Sequence, residues 1–109
     1  MMNLNLFNRY KINKNMIDDI IKNNNLNYDF INYFKPRNFY IYKNNLFYKY
    51  KKKYLQIIPS EDIDIVIQNI FNKNKVGRDA LFEIIKDKYL GISRRNINIF
   101  IQKNKNNFM

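Results

Sequence analysis

Along this 109-residue chain, runs rich in aromatic and branched residues in the middle give way to apolar side chains at helical spacing in the second half. From Gly77 to Lys103 the run is GRDALFEIIKDKYLGISRRNINIFIQK, in which Leu81, Ile84, Ile85 and Tyr89 fall three and four residues apart, on one face of a helix. Gly91 stands where a left-handed carboxyl-terminal cap would stop that helix. Ser93 is placed to cap a second helix whose stripe is Ile97, Phe100 and Ile101. The spacing predicts two short helices joined by a tight glycine turn.

Upstream, Pro59-Ser60-Glu61-Asp62 predicts another helix start, with Ser60 as cap and two acids in the first turn. Ile63, Val66, Ile67, Ile70 and Phe71 form its apolar face, and Asn72 to Lys75 closes it. Before it, Asn38–Tyr42 and Leu46–Lys51 are rich in aromatic and branched residues and flank Lys43-Asn44-Asn45, which predicts a hairpin. Tyr54–Ile58 is a candidate third strand. Nearer the start, Asn15 caps a predicted helix with Asp18 and Asp19 in its first turn and Ile17, Ile20 and Ile21 facing inward; the run Asn23 to Asn25 ends it. Asn27 to Phe34 adds a helical turn or two before Lys35-Pro36.

The predicted class is therefore α+β: a small antiparallel β-hairpin or three-stranded sheet followed by a three-helix, helix-turn-helix-like group behind it. Residues 1–14 read as a flexible basic arm and 104–109 as a frayed tail. Between them, 15–103 is one compact domain with one modest core: 15–35 helical, 38–58 the hairpin region and 60–103 the three helices.

Charge changes the picture. Twenty basic residues against 9 acidic give +11, which favours an anionic partner, nucleic acid ahead of an anionic membrane. Asn, Lys, Ile, Tyr and Phe share A- and T-rich codons, so part of the lysine excess reflects base composition. Arg37, Arg78, Arg94 and Arg95 carry more information than the lysines do. The chain has no cysteine and no histidine, which removes disulfides, thiolate nucleophiles, imidazole bases and the usual zinc ligands. No cofactor, metal or catalytic residue is expected. No apolar run approaches the roughly 18 residues of a membrane span, and the amino terminus lacks the apolar core of a secretion signal. An intracellular setting follows as the expectation (nucleus, viral factory or virion), with no membrane partner.

A helix, a glycine-containing turn and a second helix is the pattern of many DNA readers. Arg94 and Arg95 open the second helix, where the dipole is positive and acids would be the stable choice. Cations there gain a partner when a polyanion arrives; the competing reading is that both are solvated or pair with Asp87 or Glu83. The candidate groove contacts are Ser93, Arg94, Arg95, Asn96 and Asn98, with Arg78, Lys49, Lys51, Lys52 and Lys53 holding phosphates. Around the hairpin, Lys35, Arg37, Lys43, Lys49, Lys51, Lys52 and Lys53 meet no acid in the sequence. The tyrosines between them either stack on bases or serve as sheet core.

Several of these residues match a known pattern. Leu46-Phe47-Tyr48, Ile58-Pro59, Gly77-Arg78-Asp79 and the segment Tyr89 to Arg95 resemble the amino-terminal, zinc-binding-like region of retroelement and Maverick/Polinton-type integrases, over about Asn38 to Lys103. The resemblance implies a module that binds the DNA ends of a mobile element and contributes to integrase assembly. Members with an intact zinc site use two histidines and two cysteines, which this chain lacks, so metal-supported folding does not carry over. The acids Glu61, Asp62, Asp64, Asp79, Glu83 and Asp87 read as helix-start and surface charges, and no enzyme activity is expected. The leading expectation is a metal-free nucleic-acid-binding module, DNA ahead of RNA. The alternative is a structural or assembly protein, as a homodimer or with a protein partner.

Overall fold

The computed structural model describes residues 11–29, 31 and 34–104. Helix α1 spans Lys14–Asn23, followed by strands β1 (Phe39–Tyr42), β2 (Asn45–Tyr50) and β3 (Lys53–Ile57). Helices α2 (Ile63–Asn74) and α3 (Arg78–Lys86) come next, then a short strand β4 (Tyr89–Leu90) and helix α4 (Arg94–Lys103). The architecture is α+β, a sheet followed by helices.

The sheet has four strands in the order β1-β2-β3-β4. Both antiparallel connections are two-residue turns. Lys43 and Asn44 have φ of 48° and 63°, and Lys51 and Lys52 have 48° and 68°. Positive φ at both central positions matches the right-handed twist of the flanking strands. Asn44 adopts it readily, whereas each lysine does so against steric repulsion from its Cβ.

Pleating divides the strand side chains. The registers Tyr48↔Leu55, Phe39↔Tyr48 and Ile57↔Leu90 place Phe39, Leu46, Tyr48, Leu55, Ile57 and Leu90 on an inner face. There they pack with Ile12, Ile17 and Ile20 of the α1 region and with Ile31 and Phe34. Tyr48 anchors this layer, with Phe34 and Phe39 edge-on to its ring at 5.3 and 4.9 Å and its hydroxyl accepting from the Lys35 amide at 3.2 Å.

A second core lies beside the first. Ile58, Ile67, Ile70, Phe71, Leu81, Ile85, Ile92, Ile97 and Phe100 join α2, α3 and α4. The single core expected from the sequence is thus two, meeting where the chain passes from Ile57 to Ile58 and from Leu90 to Ile92. Helices α2, α3 and α4 pack on one another and on Ile58 and Ile92 beside β4, while α1 covers the inner face of the sheet.

Several element ends differ from expectation. Helix α1 starts before Asn15, because Asn13 is the residue whose side chain accepts from the Met16 amide at 2.9 Å. Asp18 and Asp19 therefore fall beyond the first turn. The arm assigned to 1–14 lies outside the described residues at 1–10, and its end is tied down: Ile12 is 3% exposed and its carbonyl accepts from the Ser60 amide at 2.8 Å. Ser60 does not cap a helix. Ser60–Asp62 forms a 3-10 turn before α2, and Glu61 instead accepts from the Lys14 amide at the start of α1 at 3.1 Å. An anion at that position suits both the orphan amide and the helix dipole. Of the tail 104–109, residues 105–109 lie outside the described set, and Asn104 closes α4 by donating its side-chain amide to the Phe100 carbonyl at 2.8 Å.

The expected glycine turn between the last two helices is also different. Helix α3 ends at Lys86, and residues 87–93 connect it to α4. Within that connection Tyr89–Leu90 pairs parallel to β3, the Leu90 carbonyl accepting from the Ile58 amide at 2.9 Å. Gly91 has φ of 101° and runs against Ile58, so its left-handed conformation serves the strand crossing rather than a helix end.

Candidate nucleic-acid interface

The amino-terminal end of α4 is built by a reciprocal cap. The Asn96 amide donates to Ser93 Oγ at 3.1 Å, while Asn96 Oδ1 accepts from the Ser93 amide at 2.8 Å and from its hydroxyl at 2.9 Å. Ser93 and Asn96, expected to reach a groove, also hold the helix end, where their side chains satisfy donors that the first turn leaves without intrahelical partners.

Arg94 follows. Its guanidinium carbon lies 4.0 Å from the centre of the Phe82 ring, and its Nη1 lies 3.7 Å from Asp79 Oδ1. Arg78 Nε lies 3.7 Å from the same oxygen. Two cations share one carboxylate, at distances and exposures where an ion pair in water contributes at most about 1 kcal/mol. The Arg94 side chain remains 60% exposed. The contact with Phe82 is a cation–π interaction, and the exposed part of the guanidinium keeps donors for further acceptors. Asn98 lies one helical turn on and shares with Arg78, Phe82 and Arg94 a shallow pocket of about 90 Å³. Arg95 is exposed and has no ion pair among the described residues.

The contact of Arg94 with Asp79 and Phe82 brings the start of α4 to the start of α3. Two positive helix poles therefore meet at a point carrying Arg78, Arg94 and Arg95 against Asp79.

The lysines assigned to phosphate lie elsewhere. Lys53 is at the start of β3 and pairs with Asp87, just before β4; Arg94 lies beyond the far end of that parallel pair. The arginine group and the Lys51–Lys53 group thus occupy opposite ends of the β3–β4 ladder. The Lys53 ammonium holds the Asp87 carboxyl below the usual carboxylate range, mainly through their hydrogen bond, while both side chains stay more than half exposed. Lys51 and Lys52 are exposed on their turn, with the Lys51 ammonium 5.2 Å from the Tyr50 ring. Lys49 points to the outer face of the sheet, 5.6 Å from the Tyr54 ring.

That outer face was the part least evident in the sequence. Tyr40, Tyr42, Phe47, Lys49, Tyr54 and Gln56 alternate with the inner-face positions and turn away from α1. Tyr40, Tyr42 and Tyr54 are 41%, 60% and 52% exposed, and the Tyr40 and Tyr54 rings meet edge-to-face at 5.2 Å. Strict alternation within each strand separates these tyrosines from the core residue Tyr48. Which set is covered depends on the side to which α1 returns.

The second-half acids all have structural partners. Besides the Asp79 and Asp87 pairs, Asp62 meets Lys14 at 3.1 Å, Glu83 meets Lys86 at 2.9 Å and Asp64 lies 3.9 Å from Lys103. Among the described residues no helix is long and apolar enough to cross a membrane. Comparison with protein-family models, curated proteins and solved structures finds no match to this chain.

Proposed function

We propose that this chain is a metal-free nucleic-acid-binding module, with DNA ahead of RNA, that docks through the Arg94 end of α4. The observation that carries this reading is the Arg94 guanidinium itself, its central carbon 4.0 Å from the centre of the Phe82 ring and its side chain 60% exposed at a helix tip. A cation at the positive pole of a helix is locally unfavourable, and a phosphate would relieve it while drawing on the two converging helix starts. A net charge of +11 supplies the long-range attraction. Asn98 and Arg95 flank Arg94 and would take up further backbone or base-edge contacts. The likeness of Gly77-Arg78-Asp79 and Tyr89 to Arg95 to integrase amino-terminal regions agrees with a role at element-end DNA. Titrating salt against duplex affinity tests the reading: binding should weaken steeply as salt rises, and Arg94→Ala with Arg95→Ala should weaken it further while the helical circular dichroism is kept. Equal affinity of parent and variant would sink it.

A second reading has its own support. Ile65 and Ile99 are 61% and 40% exposed, and a groove of about 280 Å³ between α2 and α4 is lined by Ile65, Gln68 and Phe100. An assembly role would use this apolar strip against a protein partner. Sedimentation giving a monomer at all concentrations, with no complex in native extracts, counts against it.

A further inference from the structure

We infer that the open face of the sheet is a stacking platform for single-stranded DNA. The inference rests on the reading of the chain as a DNA-binding module and adds a second surface and a second form of the ligand to it. Tyr42, Tyr40 and Tyr54 lie in a diagonal row across β1 and β3, with Phe47 of β2 beneath. Pleating forces these rings outward together, because the alternate positions Leu46, Tyr48 and Leu55 are consumed by the inner core. At 41%, 60% and 52% exposure, each of the three residues keeps surface open to a flat partner. A duplex keeps its base faces stacked inside the helix, so rings on an open sheet fit bases that are already unpaired.

Charge selects the occupant. The Lys43 ammonium lies 5.4 Å from the Tyr42 ring at one end of the row, and that of Lys49 lies 5.6 Å from the Tyr54 ring at the other. Residues 35–60 contain Lys35, Arg37, Lys43, Lys49, Lys51, Lys52 and Lys53 and no acid. A second copy of the chain laid face to face would bring the Lys43 and Lys49 cations of the two faces against one another. An anionic strand threading past the row meets a ring for each base and a lysine for the phosphates at either end. The arrangement reads no base edges, so it binds without sequence preference.

The test uses the full chain and two fluorescein-labelled probes of about 12 units, an oligo-dT and a duplex, followed by anisotropy at low salt. The variant is Tyr40→Thr with Tyr54→Thr, since threonine suits a strand and removes only the ring; Tyr40→Phe with Tyr54→Phe is the companion that keeps the rings. The expected result is a fall in oligo-dT affinity of about tenfold or more for the threonine variant, with duplex affinity unchanged and the phenylalanine variant matching the parent. Unchanged oligo-dT affinity in the threonine variant overturns the inference. A parent that binds duplex but not oligo-dT overturns it while leaving the proposed function standing, and a parent that binds neither probe removes both. A parent dimer that the threonine variant dissolves, or displacement of oligo-dT by oligo-U at much lower concentration, also overturns it.

Discussion

A side-chain carbon on Gly91 would stand 2.7 Å from the carbonyl oxygen of Ile58, closer than any such contact in a relaxed structure. The oxygen belongs to the backbone at the junction of the two cores and cannot swing aside. Gly91 also has φ of 101°, a conformation strained for any residue with a Cβ. Gly91→Ala is expected to destabilise the fold by at least about 2 kcal/mol, read as a lowered denaturation midpoint in urea. Gly77, with an ordinary φ of −75° and nothing within 4 Å of a built Cβ, should accept serine with little change.

The Lys51-Lys52 turn carries the opposite expectation. Both lysines hold positive φ in a two-residue hairpin, which asparagine and glycine adopt with little strain. Lys51→Asn with Lys52→Gly should stabilise the protein by about 1 kcal/mol and raise Tm by roughly 4–8 °C. A lowered Tm would mean that the lysine side chains contribute more than their backbone strain removes.

Asp19 sets part of the acid limit. Its carboxylate accepts from Asn23 at 2.7 Å, Tyr28 at 2.7 Å and Asn25 at 2.6 Å, joining α1 to the segment that follows. These bonds, that from Asn23 foremost, hold its carboxyl below the ordinary aspartate value. Its stabilising contribution is complete above the unfolded pKa of about 3.9 and disappears as pH falls through the lower folded value. Asp19→Asn should therefore be less stable than the parent at neutral pH, and thermal melts should show the gap closing toward strong acid. A gap that stays constant with pH would show that the loss is not tied to the charge.

Ser93 and Asn96 separate capping from recognition. Because their side chains are engaged with each other and with the start of α4, Ser93→Ala should lower stability by about 1 kcal/mol. Duplex affinity measured well below Tm should stay at the parent value. A loss of affinity without loss of stability would return Ser93 to the contact surface.

At Arg94 the guanidinium matters as well as the charge. Arg94→Lys keeps a cation but gives up the guanidinium's contact with Phe82 and its forked donors, so duplex binding should fall between the parent and Arg94→Ala in anisotropy titrations. If each arginine holds one phosphate, removing it should reduce the slope of log affinity against log salt by about 0.9.

Much of this layout was legible in the sequence, because it rests on local rules. Lys43-Asn44 marks a turn that asparagine tolerates, and the strands predicted at Asn38–Tyr42 and Leu46–Lys51 begin and end within a residue of β1 and β2. Ser93 was recognisable as a cap because a hydroxyl precedes an apolar stripe of helical period. Tyr89 was misleading for the same reason. It lies four residues after Ile85 and continues the stripe of α3, yet the chain there leaves the helix to pair with Gln56. Two residues of strand carry no period to detect. Asn13 and Asn15 are equally good caps on composition, and the choice was made by what Ile12 and Glu61 hold in place from a distant segment.

The amino-acid order alone thus determined the class of the protein, its principal turns, its surplus of positive charge and the pair of arginines at the head of the last helix, because each depends on neighbours a few residues away. Tertiary packing alone decided that there are two cores, that Lys53 meets Asp87 while Arg94 meets Asp79 and Phe82, and that Tyr48 is buried while Tyr40, Tyr42 and Tyr54 face outward. Those outcomes depend on which face of the sheet α1 covers and where the helices lodge. Contacts between distant segments settle that, and no local pattern encodes it.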